Sequence, residues 1–174
     1  MSVKRAEILK SALSEIGNHN DDGSEYGRYL SGSYNWCSEF VSYVYKEAGY
    51  PFTNGSYSSQ IENAPDNGEW MQRTTKRIIH WFKEHSIYIG RGSEFWYDFL
   101  PRAGDYVFIG RYGSDRMHSG LVEYTACNGT LNTIEGNNSG RKVMRFQYPH
   151  YLINDKDNGS ANGIVLGFGV IRDV

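Results

Sequence analysis

The chain has 174 residues, of which 39% are hydrophobic and 22% charged, and these proportions are those of an ordinary folded protein. Its formal net charge is -2, so it has no excess of the basic residues that bind nucleic-acid phosphates, and we expect no nucleic-acid partner. No stretch approaches the roughly 20 apolar residues that span a bilayer. We therefore expect a single domain over residues 1–174, with no membrane span.

Three segments place apolar residues at the spacing of an amphipathic helix. Ser2 is available as the N-cap of the first helix, and Gly17 follows its end. Cys37 lies in the first turn of the second helix, which Gly49 terminates. The three segments are residues 3 to 16, Trp36 to Ala48, and 73 to 85.

After Pro101 the pattern changes to the alternation that is typical of strands. Asn128-Gly129, between the second and third of these stretches, predicts a hairpin turn. Helices followed by strands predict an α+β fold, in which N-terminal helices pack against one face of a C-terminal antiparallel sheet. The segments Asn18 to Ser33 and 51 to 69 are rich in turn-forming residues and predict loops. The strand-like stretches are DYVFIG, HSGLVEY, TLNTIEG and IVLGFGVI.

Cys37 is the first candidate for chemistry. Unpaired backbone N–H groups at a helix start lower the pKa of a thiol and can also hold the oxyanion of an attacked carbonyl. A cysteine in this position is also common as a small buried residue, so the interpretation as a nucleophile requires a base nearby. The other cysteine, Cys127, lies at the far end of the predicted hairpin, and we expect it to have no role.

His118 is the candidate base, because it opens the strand that leads into the hairpin. The simplest two-residue hairpin pairs Gly120 with Asn137 and Val122 with Glu135. His118, Glu135 and Asn137 then share one face of the sheet, and either of the last two can orient the imidazole. In this register Asn137 is the nearer to His118, and Glu135 requires a bulge or a strong twist to reach it. The other histidines lack the spacing of metal ligands, so we expect no metal and no cofactor.

Three stretches of the chain together resemble the CHAP family of peptidoglycan-cleaving amidases and endopeptidases, a branch of the papain-like cysteine hydrolases that includes NlpC-type enzymes. The resemblance depends on their order and covers roughly residues 30 to 140. The stretches are NWCSEFVSYVYKEAG, PRAGDYVFI, and HSGLVEY followed by TIEGNNSG.

The resemblance implies a papain-like fold and assigns a role to each candidate. Cys37 is then the nucleophile, His118 the general base and later the acid, Glu135 the residue that orients the imidazole, and Asn137 a supporting residue. The family thus favours Glu135 where the ideal hairpin favours Asn137. Asp105 is then a structural turn residue. An insertion of about 50 residues before the PRAGD turn departs from the family and is expected to reshape the groove.

The function implied is cleavage of an amide bond in the peptidoglycan stem peptide by a monomeric enzyme. We expect synthesis in the cytoplasm without a signal peptide and action in the periplasm or cell wall of a target cell, as an antibacterial effector toxin or a phage-type lysin. An effector would have a cognate immunity protein. Two alternatives stay open: an intracellular small-amide hydrolase resembling glutathionylspermidine amidase, and a non-catalytic glycan- or peptide-binding module with an aromatic groove.

Overall fold

The computed structural model describes most of the chain, in seven ranges. Parts of the two predicted loops, Asn18 to Ser33 and 51 to 69, lie outside the described residues. The described ranges are 1–23, 27–29, 35–53, 70–110, 115–138, 141–153 and 163–172.

Three helices form where the apolar spacing predicts them, and their ends lie within two residues of the predicted ones. Ser2 caps the first helix by accepting the Arg5 N–H, and Thr74 caps the third in the same way. Gly49 follows the second helix with φ +80°, a conformation that favours glycine. None of the helices in the described ranges is long and apolar enough to cross a membrane. The bounds are α1 Val3–Ser14, α2 Cys37–Glu47 and α3 Thr75–His85.

Six strands in the described residues form one sheet, in which every neighbouring pair is antiparallel. Their order across the sheet is β1-β6-β2-β3-β4-β5. The α+β prediction is confirmed, although the two edge strands β1 and β5 were not predicted. The bounds are β1 Ile87–Gly90, β2 Tyr106–Gly110, β3 Met117–Thr125, β4 Leu131–Glu135, β5 Met144–Tyr148 and β6 Ile164–Val170.

Both faces of the sheet are buried. Successive strand residues point to opposite sides, so each central strand contributes side chains to both faces. Tyr106 and Leu121 pack under the helices, in the cluster that contains Phe40 of α2. Their neighbours Val107 and Val122 point to the other face and join a second cluster, which segments 91–100 and 149–153 cover. The helices therefore occupy one face, as predicted, and irregular segments close the other.

The β3–β4 hairpin corrects the predicted register. Ala126 N–H donates to Thr130 O at 2.9 Å, which leaves a three-residue loop with Gly129 at φ 77° in place of the two-residue turn. A further shift between Val122 and Tyr124 marks a bulge. The predicted pairing of 120 with 137 is therefore wrong, and Gly120 faces Glu135. The total shift of two positions leaves the same residues on the same face.

A buried ion pair connects α1 with the sheet. Arg5 Nη1 donates to Asp105 Oδ1 at 2.8 Å and to Ala103 O at 2.9 Å. Asp105 also accepts the N–H groups of Arg102 and Ile171, at 2.8 and 2.9 Å. Because Arg5 and Asp105 are 1% and 0% exposed, these contacts replace the water that both charges have lost. Asp105 thus holds the entry to β2, the end of β6 and the start of α1 together.

We expect Asp105→Ala to destabilise the fold by about 3–5 kcal/mol, because it leaves the Arg5 guanidinium buried without its carboxylate. The free energy of unfolding in urea measures this loss. Glu123→Ala is the control, since it removes a carboxylate paired with the exposed Arg145 and should cost about 1 kcal/mol or less. Equal losses in the two variants would contradict the structural role of Asp105.

Candidate active site

The start of α2 and the start of β3 border a cleft of about 700 Å³. Cys37, the first residue of α2, lines the cleft and is 7% exposed. Trp36 occupies the N-cap position and provides no side-chain hydrogen bond to the first turn. The backbone N–H groups beside the thiol are therefore not capped by the Trp36 side chain.

His118 lines the same cleft and contacts both Cys37 and Glu135. Its Nε2 lies 3.0 Å from Glu135 Oε2, at ion-pair distance but without the alignment of a linear hydrogen bond. Burial alone would lower the pKa of His118, but its polar contacts with Cys37 and Glu135 and their negative charge outweigh burial and raise this pKa. The side chain is 22% exposed, so the imidazole still reaches the solvent in the cleft.

The Cys37 thiol is the other half of this pair. Burial raises its pKa, but the hydrogen bond and positive charge of His118, together with the backbone N–H of Ser119, outweigh burial and lower it. A nearby carboxylate, Glu39, acts in the opposite direction. The arrangement favours a thiolate beside an imidazolium, which is the reactive state of a cysteine nucleophile.

Glu135 is fully buried, and its neighbours satisfy both carboxylate oxygens. Oε1 accepts the hydroxyl of Thr133 at 2.6 Å and that of Tyr148 at 2.9 Å. Oε2 accepts the Asn138 amide at 2.8 Å and faces His118. Asn138 was not among the predicted residues, although its place in the EGNN sequence next to Glu135 was a usable signal. These contacts fix the carboxylate in the orientation that addresses the imidazole.

Gly120 provides the space through which Glu135 reaches His118. A Cβ at position 120 would lie 2.7 Å from Glu135 Cγ and 3.3 Å from Ile134 O. In the observed register Glu135 lies opposite Gly120, two residues along β3 from His118. The ideal hairpin had separated Glu135 and His118 by four positions, so the longer loop and the bulge together bring them into contact.

Asn137 lines the cleft, and its side chain contacts Asn35. It adopts φ 58°, and its Nδ2 donates to Asn35 Oδ1 at 3.4 Å. Asn35 precedes Trp36 and Cys37, so this contact joins the end of β4 to the approach to α2. The structure therefore places Glu135 against His118 and assigns Asn137 to the cleft wall.

Glu39 is a buried ionisable residue that the sequence analysis missed. It is 3% exposed, its Oε1 accepts from Arg73 Nε at 3.3 Å, and its Oε2 has no hydrogen-bond partner in the described residues. Burial raises the pKa of Glu39 to about 7, although Arg73 acts against this change. Acidic residues in a first helical turn are common on protein surfaces, so the sequence carried no signal that this one is buried.

None of the other histidines is among the residues that line this cleft. His80 pairs with Glu84 and His85 contacts the Trp81 carbonyl, and both are exposed on α3. His19 forms an isolated bridge with Lys142. Over the described ranges, no group of three or more His, Cys, Asp or Glu side chains has the arrangement of a metal site.

No family model and no curated protein matches the sequence of this chain. Similar solved structures include Ly7917, with 16% identity and a TM-score of 0.47 over 94% of this chain and 61% of that protein. A second structure, of Ly7917 with the hydrolyzing product of MDP, gives 15% identity and a TM-score of 0.46 at the same coverage. An N-acetylmuramoyl-L-alanine amidase from Bacteroides uniformis ATCC 8492 gives 14% identity and 0.48 over 94% of this chain and 98% of that one. The chain thus spans less than two thirds of Ly7917.

We expect Gly120→Ala to slow alkylation of Cys37 at neutral pH by about 10-fold, because the new methyl group displaces Glu135 and weakens the imidazolium beside the thiolate. Cys127 is replaced by Ser in every variant, so that iodoacetamide reports only on Cys37. Gly90→Ala in edge strand β1 is the control, since its Cβ would meet only the Tyr88 ring, at 3.3 Å. An unchanged alkylation rate in Gly120→Ala would contradict the conclusion that Gly120 leaves the space through which Glu135 reaches His118.

We also expect Glu39→Gln to change how stability depends on pH. The pKa of Glu39 rises from 4.5 to about 7 on folding, so the folded state binds the extra proton and loses stability as pH rises between these values. Glu39→Gln removes this loss, and its stability relative to wild type should increase by on the order of 3 kcal/mol between about pH 5 and about pH 8. Urea unfolding at both pH values measures this, with the exposed Glu47→Gln as control. If the difference in unfolding free energy between Glu39→Gln and wild type did not change with pH, folding would not raise the pKa of Glu39.

Proposed function

We propose that this chain is a cysteine amidase or endopeptidase that cleaves an amide bond of the peptidoglycan stem peptide through a Cys37 acyl-enzyme. The observation that carries the proposal is the contact of His118 with both the Cys37 thiol and the buried Glu135 carboxylate, at the edge of one cleft. A cysteine that served only as packing would need neither a lowered pKa nor an oriented base. The choice of peptidoglycan as substrate rests on the CHAP-like motifs around these three residues.

In the first half of the reaction the Cys37 thiolate attacks the substrate carbonyl carbon. The carbonyl electron pair moves to oxygen, and the backbone N–H groups at the start of α2 stabilise this oxyanion. When the tetrahedral intermediate collapses, the C–N bond breaks and the His118 imidazolium gives its proton to the departing amine. The products of this half are a free amine, a thioester on Cys37 and a neutral imidazole.

In the second half neutral His118 takes a proton from water, and the hydroxide adds to the thioester carbonyl. Collapse of the second tetrahedral intermediate breaks the C–S bond and returns the thiolate. The acid product leaves as a carboxylate once its proton has gone to solvent. The imidazolium beside the thiolate is thereby restored, and Glu135 stabilises the imidazolium each time it forms.

The cleft walls suit a peptide. Three amide side chains, those of Asn35, Asn137 and Asn138, lie on its walls and offer both donors and acceptors to peptide groups. Asp115 and Arg116 line it as well and provide one charge of each sign. Stem peptides carry both ammonium and carboxylate groups, so this lining matches their chemistry.

Because the proposed substrate is the cell wall, we place the activity in the periplasm or wall of a bacterial cell. The enzyme then acts as an antibacterial effector toxin or as a phage-type lysin. In the effector case the producing cell requires an immunity protein, and a protein that fills the cleft beside Cys37 would block the reaction.

We expect the purified protein to release fragments from isolated peptidoglycan, and Cys37→Ala to reduce this release by more than about a thousandfold while keeping the fold. Mass spectrometry of the fragments distinguishes a cut between sugar and peptide from a cut within the stem or its cross-bridge. Cys127→Ala, at the exposed hairpin loop, is the matched control and should retain activity.

Full activity of Cys37→Ala would exclude the acyl-enzyme mechanism. Intact peptidoglycan after treatment with wild type would instead exclude the substrate class, and cleavage of a small amide such as glutathionylspermidine would then identify the intracellular alternative.

A further inference from the structure

Four buried hydroxyl groups meet directly behind the Cys37–His118 pair. They belong to Ser38, Thr75, Tyr106 and Ser119, which we call the hydroxyl cluster, and none is more than 6% exposed. Ser119 Oγ lies 3.0 Å from Thr75 Oγ1, 3.2 Å from Ser38 Oγ and 3.2 Å from the Tyr106 hydroxyl. Ser38 and Thr75 are 3.4 Å apart. The cluster thus joins α2, α3, β2 and β3 at one point.

Ser119 is the centre of the hydroxyl cluster. A serine hydroxyl donates once and accepts twice, so three hydroxyl neighbours use its whole capacity. Burial raises the pKa of Tyr106 well above its ordinary value, so the phenol is neutral and can either donate to Ser119 or accept from it. Ser38 and Thr75 lie within hydrogen-bond distance of each other and of Ser119, so the three hydroxyls form a ring. Removing the Ser119 hydroxyl would therefore leave three buried hydroxyl groups short of a partner.

The cluster is attached to the reacting groups through the backbone. Ser119 directly follows His118 in β3, and its backbone is among the groups that lower the pKa of Cys37. Ser38 directly follows Cys37 in α2, and its Oγ lies 4.0 Å from Cys37 Sγ. The contact between Ser38 and Ser119 therefore sets the distance between the start of α2 and the start of β3.

We propose that the Ser119 side chain is a positioning residue, which acts through the hydroxyl cluster to hold the His118 imidazole and the Ser119 N–H against the Cys37 sulfur. The proposal rests on the proposed function only for the role of Cys37 as nucleophile. It assigns Ser119 no contact with substrate. Its consequence is that a hydroxyl group on the far side of the strand controls how readily the thiol ionises.

Ser42 provides a matched comparison on the same helix. It is as buried as Ser119, and its hydroxyl donates to Ser38 O at 2.9 Å and accepts the Gln72 N–H at 3.0 Å. Ser42 is one helical turn further from the cleft than Ser38 and is not part of the hydroxyl cluster. Ser42→Ala should therefore lower stability without changing the thiol.

The test measures the pH dependence of Cys37 alkylation by iodoacetamide, with Cys127 replaced by Ser throughout. We expect Ser119→Ala to raise the apparent pKa of the thiol by about one unit, so that the whole pH profile of alkylation moves to higher pH by that amount. Both variants should have a lower melting temperature than wild type, because each loses a buried hydrogen-bonding group. Only Ser42→Ala should keep the wild-type alkylation profile. Equal profiles for Ser119→Ala and Ser42→Ala would overturn the proposal.

Tyr106→Phe keeps the test decisive if Ser119→Ala does not fold. It removes one hydrogen-bond partner of Ser119 and retains the ring that stacks on Phe82, with centroids 5.6 Å apart. We expect a shift of the thiol pKa in the same direction but smaller, and no shift would overturn the proposal.

The alkylation assay uses no peptidoglycan, so it separates the two proposals. If wild type leaves peptidoglycan intact but Ser119→Ala still shifts the thiol pKa, the substrate class fails and the positioning role stands. If peptidoglycan is cleaved, Ser119→Ala should lower kcat with little change in KM, because the hydroxyl does not touch substrate.

Discussion

The buried carboxylate of Glu135 is the constraint on which the candidate site depends. A carboxylate that is 0% exposed is costly unless protein groups replace the lost water. Thr133, Tyr148 and Asn138 supply three hydrogen bonds, and the fourth contact is the His118 imidazole. Because these groups come from β3, from β4 and its following turn, and from β5, the carboxylate cannot move without breaking contacts to several of these elements. The orientation of the imidazole is thus determined by the alignment of three strands.

Two glycines allow the elements of the site to approach one another closely. Gly120 leaves room for the Glu135 side chain to cross toward His118. Gly136, at the end of β4, lies so near α2 that a Cβ there would be 2.7 Å from both Phe40 Cβ and Trp36 Cζ3. These two residues flank Cys37 on its helix, so the position of the thiol relative to the sheet depends on the missing side chain at 136. The close packing of the site therefore requires glycine at positions 120 and 136.

Apolar periodicity predicted the elements of the fold, because helices and central strands bury one continuous face. It did not predict β1 and β5, which are short edge strands, and β5 has only alternating half-burial. The face shared by His118, Glu135 and Asn137 was predictable because a register shift of two residues preserves it. The family resemblance favoured Glu135 as the neighbour of His118, but strand pairing alone did not, since the loop length and the bulge depend on contacts made across the whole sheet. For the same reason a buried Glu39 could not be distinguished in sequence from an exposed helical acid.

The reactivity of Cys37 results from opposing electrostatic contributions that meet at the start of α2. Burial and the Glu39 carboxylate raise the thiol pKa, whereas His118 and the Ser119 N–H lower it more. Glu39 is itself held by Arg73, so the guanidinium offsets part of the negative charge that would otherwise oppose the thiolate. Two ion pairs therefore influence the pKa of the Cys37 thiol. His118 in the first pair lowers this pKa, and Glu39 in the second raises it. The His118–Glu135 pair strengthens the thiolate directly, and the Arg73–Glu39 pair limits a repulsion that the fold places in the same helical turn.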